Sequence, residues 1–204
     1  MGNGRRRVVE ALWRTVARDG MAGVSVRAVA AEAGLSGGTV QHHFPTRAEM
    51  VRYAMEEMAG QVEQRIAAMP RSGPPHKWTR AILLELLPLD AVRRREFSVW
   101  LAFSVHAETD PDLAELRART SARLRELYQR IVGVRRLAAG GEGSGAEPAE
   151  DYEAAILHAV IDGIALQLAD VSPDDAAVLG PALLDHYLAR PVDADADADA
   201  ASQR

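Results

Sequence analysis

The stretch that most constrains the fold is residues 24–52, which carries the starts of three helices close together. Ser25 precedes an apolar set at helical spacing and Gly34 follows it, so the pattern predicts a helix with a serine N-cap and a glycine C-cap. Ser36 begins a second, very short helix that a proline ends, and Thr46–Glu49 has the spacing of a capping box that opens a third helix. Two short helices joined by a tight glycine-containing turn are the geometry of a helix-turn-helix, whose second helix enters the major groove of DNA.

The second helix of this stretch predicts a DNA-reading surface. Its inner side is formed by Val40 and Phe44, and its other positions carry glycines and hydrogen-bonding side chains rather than carboxylates. Glycines at its start allow close approach of two backbones. We expect the DNA interface to consist of Ser25, Arg27, Thr46 and Arg47, which would anchor phosphates; Thr39, Gln41 and His42, which would face bases; and Ser36, Gly37, Gly38 and His43 beside them.

At these residues the chain resembles the tetracycline-repressor (TetR) family of bacterial transcriptional regulators. The matching pattern is Ser25-Val26-Arg27, Val29-Ala30, Ala33-Gly34-Leu35-Ser36, Gly38-Thr39-Val40, His43-Phe44 and Arg47. Gln41 departs from it, because the family usually has a tyrosine there that touches a phosphate. A glutamine can donate to a phosphate or pair with the edge of adenine, so both roles stay open.

The same stretch also satisfies a catalytic motif, which we interpret as coincidental. Residues 34–38 read G-x-S-x-G, the nucleophile elbow of serine hydrolases. That motif needs a buried strand before it, whereas the preceding residues are alanine-rich and helix-periodic. The chain has no cysteine, and its histidines lack the spacing of a metal site or of a catalytic triad. We therefore expect no enzyme activity, no metal and no cofactor.

Charge is distributed unevenly along the chain. Residues 1–52 contain eight arginines and four acidic residues, a balance of +4, while the whole chain carries −5. A basic head on an acidic body is typical of a nucleic-acid binder with a separate second domain. The absence of cysteine fits a reducing cytoplasm. The sequence contains no uninterrupted apolar run of about 18 residues, so it predicts no membrane span.

The remaining sequence predicts helices throughout, so we expect an all-α fold of about nine helices. An N-terminal three-helix, helix-turn-helix head would be joined to a larger helical body for ligand binding and dimerisation. The expected domains are residues 1–47 for DNA binding, 48–190 for ligand binding and dimerisation, and 191–204 as a disordered acidic tail. A glycine-rich segment at 138–147 predicts a flexible loop.

Asp90 caps a predicted helix that starts with Arg93-Arg94-Arg95 and becomes almost wholly apolar from Phe97, which predicts a helix buried on all sides at the centre of the body. Aromatic side chains with a histidine are the usual composition of a small-molecule site, although aromatic residues at helical spacing also form ordinary core. Both interpretations stay open at this stage. The residues we expect to bind a ligand are Trp78, Phe97, Trp100, Phe103, His106 and Tyr128.

The last two predicted helices are apolar and contain small residues, so they either pack internally or bury a face in a second copy of the chain. The resemblance implies the second alternative, since the last two helices form the dimer in that family. The expected interface residues are Ile156, Val160, Gly163, Ile164, Leu183, Leu184 and Tyr187.

The resemblance also implies a function: a regulator, in most cases a repressor, released from its operator by a small-molecule effector. A homodimer would place its two heads on a near-palindrome of double-stranded DNA. The Leu86–Asp90 segment and the helix around Trp100 are similar to the choline/betaine-regulator branch. The alternative from another class is an all-α interaction module, or an enzyme, whose basic head is incidental.

Overall fold

The computed structural model describes residues 3–140 and 148–190. The described residues form nine α-helices and no strand, so the prediction of an all-α chain with a helix-turn-helix head is confirmed. The loop predicted at 138–147 lies largely, and the acidic tail at 191–204 wholly, outside the described residues. The helices are α1 (Asn3–Asp19), α2 (Val26–Ala33), α3 (Gly37–His43), α4 (Arg47–Ala68), α5 (Pro75–Glu85), α6 (Ala91–His106), α7 (Pro111–Ala138), α8 (Pro148–Ala169) and α9 (Pro173–Leu188).

The helix starts follow the capping residues that the sequence predicts. The Oγ atoms of Ser25 and Ser36 accept hydrogen bonds from the third residue beyond each, and Thr46 does the same at the start of α4. Gly34 ends α2 in the left-handed conformation with φ of 62°, which a side chain adopts only at a cost. These local signals explain why three helices begin and end within so short a segment.

Both ends of α5 differ from the sequence pattern, which predicts a helix from Lys77 to Leu87. The sequence pattern predicts a helix from Lys77, whereas α5 begins at Pro75, because proline lacks an N–H and is favoured in the first turn of a helix. The same helix ends at Glu85 rather than near Leu87, since the residue before Pro88 is sterically disfavoured in the helical region. A short 3-10 turn at Met21–Gly23, which the pattern does not predict, joins α1 to α2.

The buried side chains form two clusters. The head core is built by α1 to α4 and is completed by side chains from α6 and α7, namely Val99, Phe103, Ala107, Leu113 and Leu116. The body core is built by the end of α4 and by α5, α7, α8 and α9. The domain boundary predicted at residue 47 falls in the first turn of α4, a continuous helix that contributes to both cores, so that boundary stays a prediction.

The prediction that α6 is buried on all sides is wrong. Val92 is 55% exposed, Leu101 40% and Val105 67%. The physical reason is position: α6 lies between the head and the body, with Val99 and Phe103 in the head core and Phe97 against the body core, so its outer side is left open.

Arginine side chains hold the first turns of α6. Arg94 donates to the carbonyl oxygens of Leu168, Ala169 and Val171 at 2.8–3.1 Å, and so satisfies the free carbonyls at the end of α8. Arg93 donates to the carbonyl of Leu84 and pairs with Asp90, the N-cap of α6. These bonds fix the start of α6 to the body.

Among the described residues, one helix is long and apolar enough to cross a membrane by length and composition alone. Residues 151–169 of α8 have a mean hydropathy of 1.3, and 33% of this window is buried inside the chain. Core helices of soluble proteins meet the same criterion, so the result marks α8 as an apolar helix and is weak evidence for a membrane span.

Candidate DNA interface, ligand cavity and subunit face

The head presents one face of α3 to the outside. Val40 is fully buried, and successive helical residues are turned by 100°, so the face opposite Val40 contains Gly38 and His42, with Thr39 and Gln41 on its two sides. All four of these residues are exposed. The predicted base-facing residues Thr39, Gln41 and His42 therefore lie together on one surface.

His43 lies apart from this surface. It is half-buried, and a Cβ atom placed on Gly4 of α1 would stand 2.5 Å from its Nε2 atom. The imidazole thus packs closely against the backbone at the start of α1, where only a glycine leaves room for it. We assign His43 to the contact between α1 and α3 rather than to the base-facing group.

Hydroxyl groups lie at the starts of three helices on the head. Ser25, Ser36 and Thr46 each accept a hydrogen bond from a backbone N–H at 3.1 Å. A hydroxyl group that accepts in this way still has its own O–H, which can donate to a phosphate oxygen. The exposed start of α3 places Gly37 beside Ser36, where no side chain obstructs an approaching backbone.

The two arginines that we predict as phosphate anchors lie in different environments. Arg27 is exposed on α2. Arg47 is half-buried, and it donates from Nε to the carbonyl of Val24 at 2.8 Å and from Nη2 to that of Met21 at 3.0 Å. Its guanidinium therefore joins the first turn of α4 to the 3-10 turn between α1 and α2, which leaves the Nη1 side for a phosphate.

Two further arginines order the head, and sequence reasoning did not identify these roles. Arg7 on α1 donates to the carbonyl of Ala33 at 2.7 Å, so a cation lies at the carboxyl end of α2, where the helix dipole favours positive charge. The guanidinium of Arg5 lies over the rings of Phe44 and Tyr53, 5.7 and 5.6 Å from their centroids. No local sequence signal specifies these partners, because they are distant in the chain.

The body contains a cavity of about 430 Å³ between α4, α6, α7 and α8. Three of the predicted ligand residues, Phe97, Trp100 and Tyr128, line it. The other three do not: Trp78 packs on the body core, Phe103 is fully buried in the head core, and His106 lies beside a separate groove near α1. The structure thus divides the predicted aromatic set between a cavity wall and packed core.

An ion-paired group of charged side chains lies at the wall of this cavity. Arg65 on α4 donates to Glu85 at 2.7 Å and binds both carboxylate oxygens of Glu96 at 2.9 and 2.6 Å. Hydrogen bonding to Glu96 is the largest cause that raises the pKa of Arg65, and the guanidinium is charged in any case. Glu85 and Glu96 both line the cavity, so this ion-paired group ties α4, α5 and α6 together at its wall.

Asp162 is a cavity residue that the sequence analysis missed. It lines the cavity from α8, with its Oδ2 atom 3.3 Å from Nε2 of His158. Desolvation raises the pKa of Asp162, and His158 opposes that shift. His158 in turn stacks on the buried ring of Tyr128 at 4.9 Å between centroids, and burial raises the pKa of the Tyr128 hydroxyl. The sequence signal that could have identified Asp162 is its spacing of four residues from His158 on one helix.

α8 and α9 carry much of the exposed apolar surface of the body. Ile156 is 48% exposed, and Val160 and Gly163 share its face of α8, whereas Ile164 and Leu184 are buried in the body core. Leu183 and Tyr187 are half-buried against that core. Four exposed apolar side chains that the sequence analysis omitted belong to these same helices: Tyr152, Leu166, Val178 and Leu179.

These features together define a helix-turn-helix protein whose helical body contains a cavity. Residues 8–54 match the bacterial regulatory proteins of the tetR family, and residues 75–193 match the C-terminal domain of BetI-type transcriptional repressors. The chain belongs to the TetR family of DNA-binding transcriptional regulators.

Individual relatives agree with this assignment. The transcriptional regulator PksA of Bacillus subtilis is 34% identical over 164 residues, which cover 79% of this chain and 77% of PksA. A transcriptional regulator from Rhodococcus sp. RHA1 has a structure that matches with a TM-score of 0.74 and 34% identity, over 90% of this chain and 95% of its own. A regulator from Saccharomonospora viridis, solved in complex with choline, matches with a TM-score of 0.76 and 25% identity, over 90% and 94% of the two chains.

We expect Arg47→Ala to destabilise the head. The substitution removes two hydrogen bonds from a charged donor and leaves the carbonyls of Met21 and Val24 without that partner, which should lower the free energy of unfolding by about 2–3 kcal/mol. Urea denaturation measures this change. Arg27→Ala is the matched control, because removal of this exposed side chain should lower the free energy of unfolding by less than about 0.5 kcal/mol. Equal stability of the two variants would show that Arg47 does not hold the turn.

Proposed function

We propose that the protein is a homodimeric repressor that binds a near-palindromic operator, and that a small-molecule effector in the body cavity lowers its affinity for that operator. The observation that supports this most is the sharing of two helices. α4 and α6 each contribute side chains both to the head core and to the cavity wall. A ligand that displaces these helices displaces part of the head with them. The cytoplasm, where operator DNA lies, is the compartment we propose.

In this proposal α3 is the recognition helix. Thr39, Gln41 and His42 face the bases, while the hydroxyl groups at the starts of α2, α3 and α4 bind phosphates together with Arg27 and the Nη1 side of Arg47. Phosphate contacts fix the position of the head on the duplex, and base contacts determine the sequence that it prefers. Gln41 lies on the exposed face of α3 and has no hydrogen-bond partner among residues 3–140 and 148–190, so its amide group is available to the edge of an adenine.

We expect Gln41→Ala to change the preferred DNA sequence. Duplexes selected from a random pool by the purified wild type and by the variant should differ at one position of each half-site, because a good bidentate pair contributes about 1–3 kcal/mol of discrimination. Arg27→Ala is the control: it should select the same sequence as the wild type but lower the salt slope of binding by about one per head. A Gln41→Ala variant that weakens all duplexes equally would assign Gln41 to a phosphate.

The dimer interface that we propose is the exposed face of α8 and α9. Ile156, Val160 and Gly163 recur at intervals of three and four residues on α8, and Val178 and Leu179 lie exposed on α9. Small side chains in the middle of such a face allow two helices to approach closely. Leu184 is fully buried in the body core and supports this face from the inside. Its substitution would therefore test folding rather than dimerisation.

We expect Gly163→Arg to break the dimer and to abolish tight operator binding. A Cβ atom on Gly163 meets nothing within 4 Å in the described part of the chain, so the monomer can accept the larger side chain, whereas a partner subunit on this face cannot. Two linked heads contact half-sites roughly 34–36 Å apart, and a single head loses half of those contacts. Sedimentation and DNA titration measure both effects.

Gly60→Arg provides the matched control for this experiment. Gly60 is a helical glycine on α4 with the same open surroundings, and it lies away from α8 and α9 in the chain. This variant should sediment as the wild-type dimer does. A Gly163→Arg protein that remains a dimer at micromolar concentration would place the interface elsewhere.

We infer a small organic cation as effector from the aromatic wall of the cavity, whose charged lining residues are five carboxylates and four arginines. Three aromatic residues, Phe97, Trp100 and Tyr128, line it, and aromatic faces attract quaternary ammonium groups. Asp162 adds a carboxylate whose ion-pair partner in the described part of the chain is a histidine rather than an arginine. A bound cation could pair with that carboxylate, whose side chain is 67% exposed.

Choline, the ligand of the Saccharomonospora viridis regulator, is the first probe to test. Isothermal titration should show binding of choline that exceeds binding of its neutral isostere 3,3-dimethyl-1-butanol by about 2- to 30-fold, the range that a cation–π contact provides. Trp100→Ala should remove most of this preference. Equal binding of the two compounds would exclude a cation site and leave an apolar one.

A further inference from the structure

Three aromatic residues on α6 connect the cavity with the head. Phe97, Trp100 and Phe103 follow one another at intervals of three residues, which we name the aromatic stripe. Three residues turn a helix by 300°, so each member of the stripe lies 60° behind the one before it. The stripe therefore winds around α6 from the side that faces the body to the side that faces the head.

The contacts of the stripe follow this winding. Phe97 lines the cavity and packs on the body core. Trp100 also lines the cavity, but it packs on the head core, with its ring 5.6 Å from that of Phe103. Phe103 has no exposed surface, belongs to the head core and is absent from the cavity wall. One ring contact thus separates the cavity from the packed interior of the head.

Two features determine which part of α6 can respond to a ligand. Its first turns are fixed to the end of α8 by the three hydrogen bonds of Arg94. Further along, an open groove of about 640 Å³ lies on the outer side of α6 beside the end of α1, and Ser98, Leu101 and Val105 line it from α6. The later turns of α6 therefore have open space on their outer side and a longer tie to α7, from Arg117 to the carbonyl of Ser104 at 3.4 Å, whereas the first turns are held by shorter bonds.

We propose that the contact between Trp100 and Phe103 transmits occupancy of the cavity to the head. A ligand that displaces Trp100 displaces Phe103, and a fully buried side chain cannot move without rearranging the helices packed around it. Phe103 is then a positioning residue that touches neither ligand nor DNA, yet determines how strongly binding of one affects the other. This inference rests on the proposed effector response.

The test measures this coupling separately from the two affinities. DNA affinity is titrated with and without saturating choline, on a duplex selected by the wild-type protein, for the wild type and for Phe103→Leu. In the wild type, choline should weaken DNA binding by at least about 5-fold, within the usual range of allosteric coupling. In Phe103→Leu the affinities for choline and for DNA alone should stay within about 3-fold of wild type, while the coupling falls below about 2-fold.

Leu83→Val is the matched control, because Leu83 is also fully buried, lies in the body core and is absent from the cavity wall. It should retain wild-type coupling although it too loses buried volume. Phe103→Met replaces Phe103→Leu if the latter does not fold, since methionine fills irregular space more readily.

A second arm of the experiment needs no ligand. Ala59 lines the cavity from α4, so Ala59→Phe fills part of it with a side chain. This variant should weaken DNA binding by at least about 5-fold on its own, and by less than about 2-fold when combined with Phe103→Leu. Two outcomes would overturn the role of Phe103 and leave the effector response standing. One is that Ala59→Phe weakens DNA binding equally with and without Phe103→Leu, and the other is that choline weakens DNA binding by Phe103→Leu as much as by the wild type. A wild-type protein that responds neither to choline nor to Ala59→Phe would overturn the proposed effector response, and the transmission with it.

Discussion

The structure depends above all on the way α6 divides its side chains between two cores. Val99 and Phe103 complete the head core, while Phe97 packs on the body core from the same helix. Because α6 contributes buried side chains to the head core and packs Phe97 against the body core, a shift of the head relative to the body changes the packing of this helix. Because packed interiors have little free volume, such changes occur between discrete arrangements rather than continuously.

The polar groups around α6 hold the start of the helix more firmly than its end. Arg93 and Arg94 hold its start to α5 and α8, and Arg65 ties Glu96 of α6 to α4 beside the cavity. Hydrogen bonds from charged donors are stronger than neutral ones, so these contacts resist movement at the first turns of the helix. The later turns carry the exposed Leu101 and Val105, and their tie to α7 is the longer bond from Arg117 to the carbonyl of Ser104 at 3.4 Å. A ligand in the cavity would therefore act on a helix that is held more firmly at its start than at its end.

The head could be predicted from sequence because its determinants are local. Ser25, Ser36 and Thr46 cap helices that begin at the next residue, and Gly34 adopts the left-handed conformation that a helix end requires. The body could be predicted as helices, but the partner of each apolar side chain could not. Periodicity showed that Phe103 and Leu184 were apolar positions at helical spacing, yet only the fold shows that one enters the head core and the other the body core. Arg65 was missed for the same reason, because its partners Glu85 and Glu96 are distant in the chain. Asp162 was missed because its spacing of four residues from His158 is a weak signal.

The central claim is that ligand binding in the body and DNA binding by the head both depend on the position of α6. Thermodynamic linkage then requires the coupling to be reciprocal. The most direct measurement compares two factors at one salt concentration: the change in DNA affinity caused by saturating choline, and the change in choline affinity caused by saturating operator duplex. The shared helix predicts equal factors, each at least about 5-fold in the weakening direction. Choline that binds the cavity with the same affinity in free and DNA-bound protein would contradict it.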